Sequence, residues 1–204
     1  MKKKLYLCGV NVIKLKYSVF TDMNKCSALM VEQLMRSVSP QRCEQAMRYS
    51  HIYGQFCCLK SYTMLMQLLD KNNDSIEQYP EFKYNAYGQP QLPDGPYFSI
   101  SHCRSGIAVA IAPWPVGIDI EVVRPLKHEL VRKTMNDEEQ KWIFSHPSPQ
   151  WAFTRLWTQK EAYLKMKGTG IISSLHDVLS DVSDVHFVCK DNIDFNYALS
   201  IAYL

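Results

Sequence analysis

Apolar side chains recur along this chain with two different periods, and the changes of period mark out its elements. From Met23 to Met35, "MNKCSALMVEQLM", they fall at helical spacing, and Ser39-Pro40 has the form of a second helix start. A longer helical pattern runs through "FCCLKSYTMLMQLLD" and is closed by the polar loop "KNNDS" at 71–75. The passage "YNAYGQPQLPDGPY" carries Gly88, Pro90, Pro93, Gly95 and Pro96, so no regular structure is expected there. After it the period falls to two. "YFSISHC" and "GIAVAIAP" read as strands, followed by "VGIDIEVV" beyond the break at Pro113-Trp114-Pro115. From Asn136 the pattern "NDEEQKWIF" is helical again, with Asn136 or Asp137 placed to cap and acids in the first turn. A helix is then expected from about Gln150 to Lys167, stopped by Gly168 and Gly170. The runs "VHFVCK" and "FNYALSIAYL" close the chain as strands. Helix and strand blocks mix without strict alternation, which favours α+β over a doubly wound parallel sheet.

Composition narrows the function. With 204 residues, 47% of them hydrophobic, the chain can bury the core of one large domain or two small ones, which excludes a disordered or fibrous reading. The net charge of +3 is spread along the sequence. Nucleic-acid binding, which calls for dense basic runs, is therefore not expected, whereas an anionic small molecule or an acidic protein partner suits it. The start "MKKKLYLCGVNVIKLKYS" has lysines before an apolar run, but Asn11 and Lys14 interrupt it and no small-residue cleavage site follows. Leu7 is too large for a lipoprotein site before Cys8, and no stretch reaches the apolar length of a membrane span. A cytoplasmic protein is expected. Seven cysteines, two of them adjacent at Cys57 and Cys58, make a poor disulfide framework. They are expected to be reduced and mostly buried, and the absence of any C-x-x-C argues against zinc.

Two stretches carry the chemistry. In "GIDIE" the strand period turns Asp119 and Glu121 to one face and Ile118 and Ile120 to the other. That pair is either a solvated outer face or an incomplete oxygen site for a hard cation, since Mg²⁺ is held by one or two carboxylates with phosphates and waters. In "WTQKEAYLKMKG" Glu161 and Lys165 share a helix face. They form either a surface pair at i,i+4 or a third metal ligand beside a cation suited to a phosphate oxygen. "SISHCRSG" adds Ser99 and Ser101 on one face of an extended segment, with His102 opposite unless the strand bulges. Ser101 and His102 make chemical sense at the edge of a phosphate site. No Ser/His/Asp arrangement, P-loop or G-x-G-x-x-G is present.

Together, "GIDIE" and "WTQKEAYLKMKG" resemble the two signatures of the 4′-phosphopantetheinyl transferase superfamily, and the separation of 42 from Asp119 to Glu161 is typical of it. "SPQRCEQAMRY", "YGQP", "FSISH" and "MNDEEQKWI" extend the resemblance toward the longer, Sfp-like branch. The resemblance implies a monomer of two similar α+β halves related by a pseudo-twofold axis, with the active site at their interface. Residues 1–115 would supply the coenzyme A-binding elements, and 116–204 the metal carboxylates and catalytic helix. The implied enzyme is a holo-[carrier protein] synthase, which transfers the 4′-phosphopantetheine arm of coenzyme A to a serine of an acyl- or peptidyl-carrier protein and releases 3′,5′-ADP. Asp119, Glu121 and Glu161 would hold Mg²⁺, and Glu161 would also accept the serine proton. Lys165 would stabilise the phosphate, and Arg42, Arg48, Gln89, Ser101, His102, Asp119 and Lys165 would bind the coenzyme.

Gln89 departs from the usual lysine of G-K-P, and Gln45 fills a position that is often basic. Lys160 lies within a signature but points about a hundred degrees from Glu161 on a helix. The segment from Leu126 to Ile143, with Lys127, Arg132, Lys133 and Lys141, is either a docking face for an acidic carrier or a solvated helix face. The alternative function is a non-catalytic module of the same fold that binds coenzyme A or a carrier. A nucleotide-dependent phosphotransferase would need a nucleotide loop, which the sequence lacks.

Overall fold

The computed structural model describes residues 14–69, 80–93, 95–170 and 174–204. The lysine-led start up to residue 13 and the loop expected at 71–75 lie outside them. The elements follow in the order β1 (Lys16–Phe20), α1 (Ala28–Met35), α2 (Pro40–Met47), α3 (Ile52–Leu68), β2 (Lys83–Tyr84), β3 (Pro90–Gln91), β4 (Tyr97–Cys103), β5 (Gly106–Ala112), β6 (Val116–Val122), α4 (His128–Thr134), α5 (Asp137–Ser145), α6 (Pro149–Lys167), β7 (His186–Asn192) and β8 (Tyr197–Tyr203). The mixed α+β class is the one expected.

Several boundaries differ from the sequence reading, for local reasons. The helix expected from Met23 begins at Ala28, because Ser27 turns extended and its hydroxyl accepts the Met30 N–H at 3.3 Å, a cap that ends a short 3₁₀ turn at Met23–Lys25. The passage at 84–97 is not free of regular structure, since Tyr84 pairs with Pro90 and Lys83 with Gln91. A two-stranded ribbon has open edges on which a proline costs no ladder bond. Its turn is organised by Asn85, whose side-chain oxygen accepts the N–H groups of Tyr87 and Gln89, and Gly88 takes a φ of +78° there. The Asn136 cap is as expected, reinforced by a reciprocal bond from Glu139. Of the cysteines described, Cys57 and Cys103 are buried, but Cys189 is exposed; none of them forms a disulfide.

Alternation along β5 sorts the core into layers. Ile107, Val109 and Ile111 face α3 and pack with Phe56, Leu59 and Leu65. Ala108, Ala110 and Ala112 face the other way, against Ile118, Ile120, Leu199 and Ile201. Their small side chains let two antiparallel sheets, ordered β1-β5-β4 and β6-β8-β7, approach closely. At the seam between the sheets, β6 donates into the serines of β4. The Ile118 N–H reaches Ser99 Oγ at 3.1 Å and the Ile120 N–H reaches Ser101 Oγ at 3.4 Å, so two hydroxyls stand in for a backbone ladder.

Helix α6 lies on the outer face of β6 and β8, with Ala162 and Met166 packed on Ala202. Gly117 makes this approach possible. A Cβ there would stand 1.9 Å from the Ala162 carbonyl oxygen, so the first residue of "GIDIE" sets how closely the catalytic-looking helix lies on the carboxylate strand.

Candidate active site

The close packing of α6 on β6 brings both signatures to one cleft. A cavity of about 410 Å³ is lined by Ser101 and His102 from β4, Asp119 and Glu121 from β6, and Trp157, Glu161 and Lys165 from α6. Asp119 is its centre. The Lys165 ammonium donates to Asp119 Oδ1 at 2.7 Å, and the Ser101 hydroxyl donates to the same oxygen at 2.8 Å. Lys165 therefore pairs across the cleft instead of with Glu161 along its own helix. The other oxygen, Oδ2, is buried without a hydrogen-bond partner among the described residues. A desolvated carboxylate oxygen lacking a donor is costly, and it fits a bound cation.

The electrostatics around it point the same way. Burial raises the Glu121 and Glu161 carboxyls above their usual range, the Asp119 charge raises them further, and Lys165 opposes the rise in both. Among the described residues, no three His, Cys, Asp or Glu side chains already stand in a tight ligating group. Crowded carboxylates around one orphaned oxygen nevertheless match what Mg²⁺ takes, a few carboxylates with the remaining positions left to water and substrate phosphates. Asp119, Glu121 and Glu161 are the residues that would hold it. His102 is exposed on the face of β4 opposite Ser101, as alternation requires, with its ring edge-on to Tyr53 at 6.0 Å. Partial desolvation of the ring among its neighbours and then the Lys165 charge hold its pKa below the ordinary 6.5, so it is neutral near pH 7.

Three other predicted residues lie elsewhere. Arg42 is buried on α2, its guanidinium over the rings of Tyr62 and Phe82 at 4.8 and 4.9 Å, donating to Gln45 Oε1 and to the Cys58 carbonyl. Gln45, where a base is often found, serves here as its acceptor. Arg48 is exposed at the end of the same helix and shares with Arg42 a second pocket of about 310 Å³, bordered by Glu81 and Tyr84. Gln89 borders a third cavity of about 460 Å³ and donates from Nε2 to the Lys165 carbonyl at 2.6 Å.

Sequence reasoning passed over two supports. Lys160 is 1% exposed, and its ammonium donates to Glu139 Oε2 at 2.6 Å and to the carbonyls of Leu175, Thr134 and His176. It ties α6 to the N-terminus of α5 and to the chain after α6. Its angular offset from Glu161 was the signal that it serves a different neighbour. Gly117 is the other, legible only as a glycine entering a strand motif.

Beside the cleft, a groove of about 260 Å³ runs between α4 and α6, lined by Arg124, Lys127, Leu130, Phe153 and Trp157 and sharing Glu121 with the cleft. Lys127, Arg132, Lys133 and Lys141 are all exposed. No helix among the described residues is long and apolar enough to cross a membrane.

The chain was compared with known proteins. A family model of the 4′-phosphopantetheinyl transferase superfamily matches residues 115–200, which hold the carboxylate strand and α6. The chain is 26% identical over 144 residues to the 4′-phosphopantetheinyl transferase Sfp of Bacillus subtilis (strain 168), covering 69% of this chain and 64% of that one. It is 28% identical over 161 residues to the 4′-phosphopantetheinyl transferase gsp of Aneurinibacillus migulanus, covering 76% and 66%. To the 4′-phosphopantetheinyl transferase HetI of a Nostoc species it is 35% identical over 101 residues, covering 45% and 43%. The chain thus spans slightly under two thirds of the first two relatives' length.

Proposed function

We propose that this chain, a member of the 4′-phosphopantetheinyl transferase superfamily, moves the 4′-phosphopantetheine arm of coenzyme A onto a serine of an apo acyl- or peptidyl-carrier protein. The observation that carries this reading is the orphaned Oδ2 of Asp119 in a cleft that also holds Glu121, Glu161 and Lys165. Bound by Asp119, Glu121 and Glu161, Mg²⁺ would neutralise charge on the pyrophosphate. Glu161, whose carboxyl is raised from the ordinary range, accepts the proton of the carrier serine. The serine oxygen then forms a bond to the phosphorus next to pantetheine, and the bridging phosphorus–oxygen bond breaks. The electron pair leaves on 3′,5′-ADP, and Lys165 meets that negative charge. Ser101 holds Asp119 in place from behind, and neutral His102 offers a hydrogen bond to a phosphate at the cleft mouth.

Arg42 and Arg48 would meet an outer phosphate of the coenzyme, Arg48 as the exposed charge and Arg42 from a guanidinium braced by Gln45 and Cys58. The carrier would dock on the groove between α4 and α6, whose basic rim suits an acidic partner and which opens onto the cleft at Glu121 and Trp157. We take residues 1–115 and 116–204 as two halves related by a pseudo-twofold axis in a cytoplasmic monomer. In support, each sheet is built from an early strand, a helical segment and a closing hairpin whose last strand pairs in the middle.

The test is mass spectrometry of apo carrier proteins incubated with the protein, coenzyme A and Mg²⁺, with an EDTA control. A gain of one phosphopantetheine arm that depends on metal is expected, and Asp119→Ala is expected to abolish it. Metal-independent modification, or near wild-type turnover by that variant, overturns the site assignment.

A further inference from the structure

Gln89 departs from the family pattern, and its side chain meets the end of the helix that carries Lys165. Its Nε2 donates to the Lys165 carbonyl at 2.6 Å, while Asn85 Nδ2, on the same turn, donates to the Gly168 carbonyl at 2.9 Å. These oxygens lie at the C-terminal end and cap of α6, where carbonyls lack the regular partner four residues on. The Gly168 N–H returns to the Leu164 and Lys165 carbonyls at 2.9 and 3.2 Å, with Gly168 left-handed at φ +71°. The fit is close, since a Cβ on Gly168 would stand 2.5 Å from Gln89 Oε1. The donor is itself held rigid, because Asn85 Oδ1 accepts the Gln89 N–H and the Asn85 N–H donates to the Gln89 carbonyl. The backbone carbonyl that Gln89 grips belongs to the residue whose ammonium reaches Asp119 Oδ1 at 2.7 Å.

We propose that Gln89 is a positioning residue: its amide latches the last turn of α6 to the Asn85–Gln89 turn and so fixes where the Lys165 ammonium stands in the cleft. The inference rests on the transferase reading above. It gives the residue at 89 a task that needs a hydrogen-bond donor and no charge, which accounts for a neutral amide where the family pattern has lysine. A lysine working as a coenzyme contact would act on binding. A latch acts on the step in which Lys165 meets the leaving phosphate, so its loss lowers kcat and leaves KM for coenzyme A nearly unchanged.

Glu at this position keeps the shape but cannot donate. The experiment compares wild type, Gln89→Glu, Lys165→Ala and the double variant by kcat and KM for coenzyme A, and follows hydrogen exchange of the amides from 164 to 168. The expected result is that Q89E lowers kcat about tenfold, with KM changed by less than about twofold. In the Lys165→Ala background it should change kcat by less than about twofold, because both act through one group. The helix-end amides of Q89E should exchange at least about tenfold faster. A rise in KM at unchanged kcat makes Gln89 a coenzyme contact and overturns the proposal, as does a full additional loss in the double variant. If wild type modifies no carrier, the transferase reading fails by itself. Exchange then decides the latch: unchanged rates overturn it and faster rates uphold it.

Discussion

Asp119 gives one oxygen to Lys165 and Ser101 and keeps the other buried without a donor among the described residues, and its charge also perturbs its neighbours. Glu161 shows the consequence, its carboxyl raised above the ordinary 4.5 first by burial and then by Asp119. The folded protein therefore holds that proton more tightly than the unfolded chain does. Stability contributed this way is lost as pH rises through the window that opens at 4.5, the ordinary value. Glu161→Gln removes the titrating group, so the metal-free variant is expected to gain stability relative to wild type as pH increases through that window. Thermal melts across the range check it, and a pH-independent difference would sink the account. The same residue is the proposed base, so Glu161→Gln is also expected to lower transfer by at least about a hundredfold.

Element packing depends on two residues of the signatures that never face the cleft. Gly117 has no room for even one carbon, because the Ala162 carbonyl and the Met166 N–H lie 1.9 and 2.5 Å from where a Cβ would be. Gly117→Ala must push α6 off β6. The expected cost is about 3 kcal/mol, the upper end for overpacking, together with loss of transfer as Lys165 and Glu161 move from Asp119. Urea unfolding with activity measured on the folded fraction separates the two effects. Lys160 acts at the other face of α6, where it is nearly inaccessible and paired with Glu139, itself part of the α5 cap. Lys160→Met leaves that carboxylate half of a broken buried pair and is expected to cost about 3–5 kcal/mol in unfolding free energy. Retained stability in this variant would show that the pair is dispensable.

At the scale of the molecule, the two sheets are each other's cover. Ile118, Ile120, Leu199 and Ile201 lie against Ala108, Ala110 and Ala112. Exposing an isoleucine or leucine costs about 1.5–3 kcal/mol, so uncovering these four is comparable with the whole net stability of a domain, about 5–15 kcal/mol. Residues 1–115 and 116–204 expressed separately are therefore expected to give no cooperative thermal transition, while the intact chain gives one. Two independent transitions from the separate pieces would mean that each half carries its own sufficient core.

Local order was legible in the sequence wherever a period or a cap decides it. Period two placed Asp119 and Glu121 on one face and Ile118 and Ile120 on the other, and the core follows that division. Helical spacing put Glu161 and Lys165 on one side of α6, and Asn136 announced its helix. Short elements escaped, β1 because five residues carry too little pattern and β2–β3 because prolines hid a ribbon that a side chain organises. Tertiary structure alone decided which faces meet. Lys165 pairs with an aspartate 46 residues away and not with the glutamate one turn before it, Lys160 finds its acceptors among chain segments on either side, and Gln89 reaches the end of α6. Periodicity constrains a residue's direction relative to its own element, whereas the partner it meets depends on how distant elements pack, and that is settled by burial summed over the whole chain.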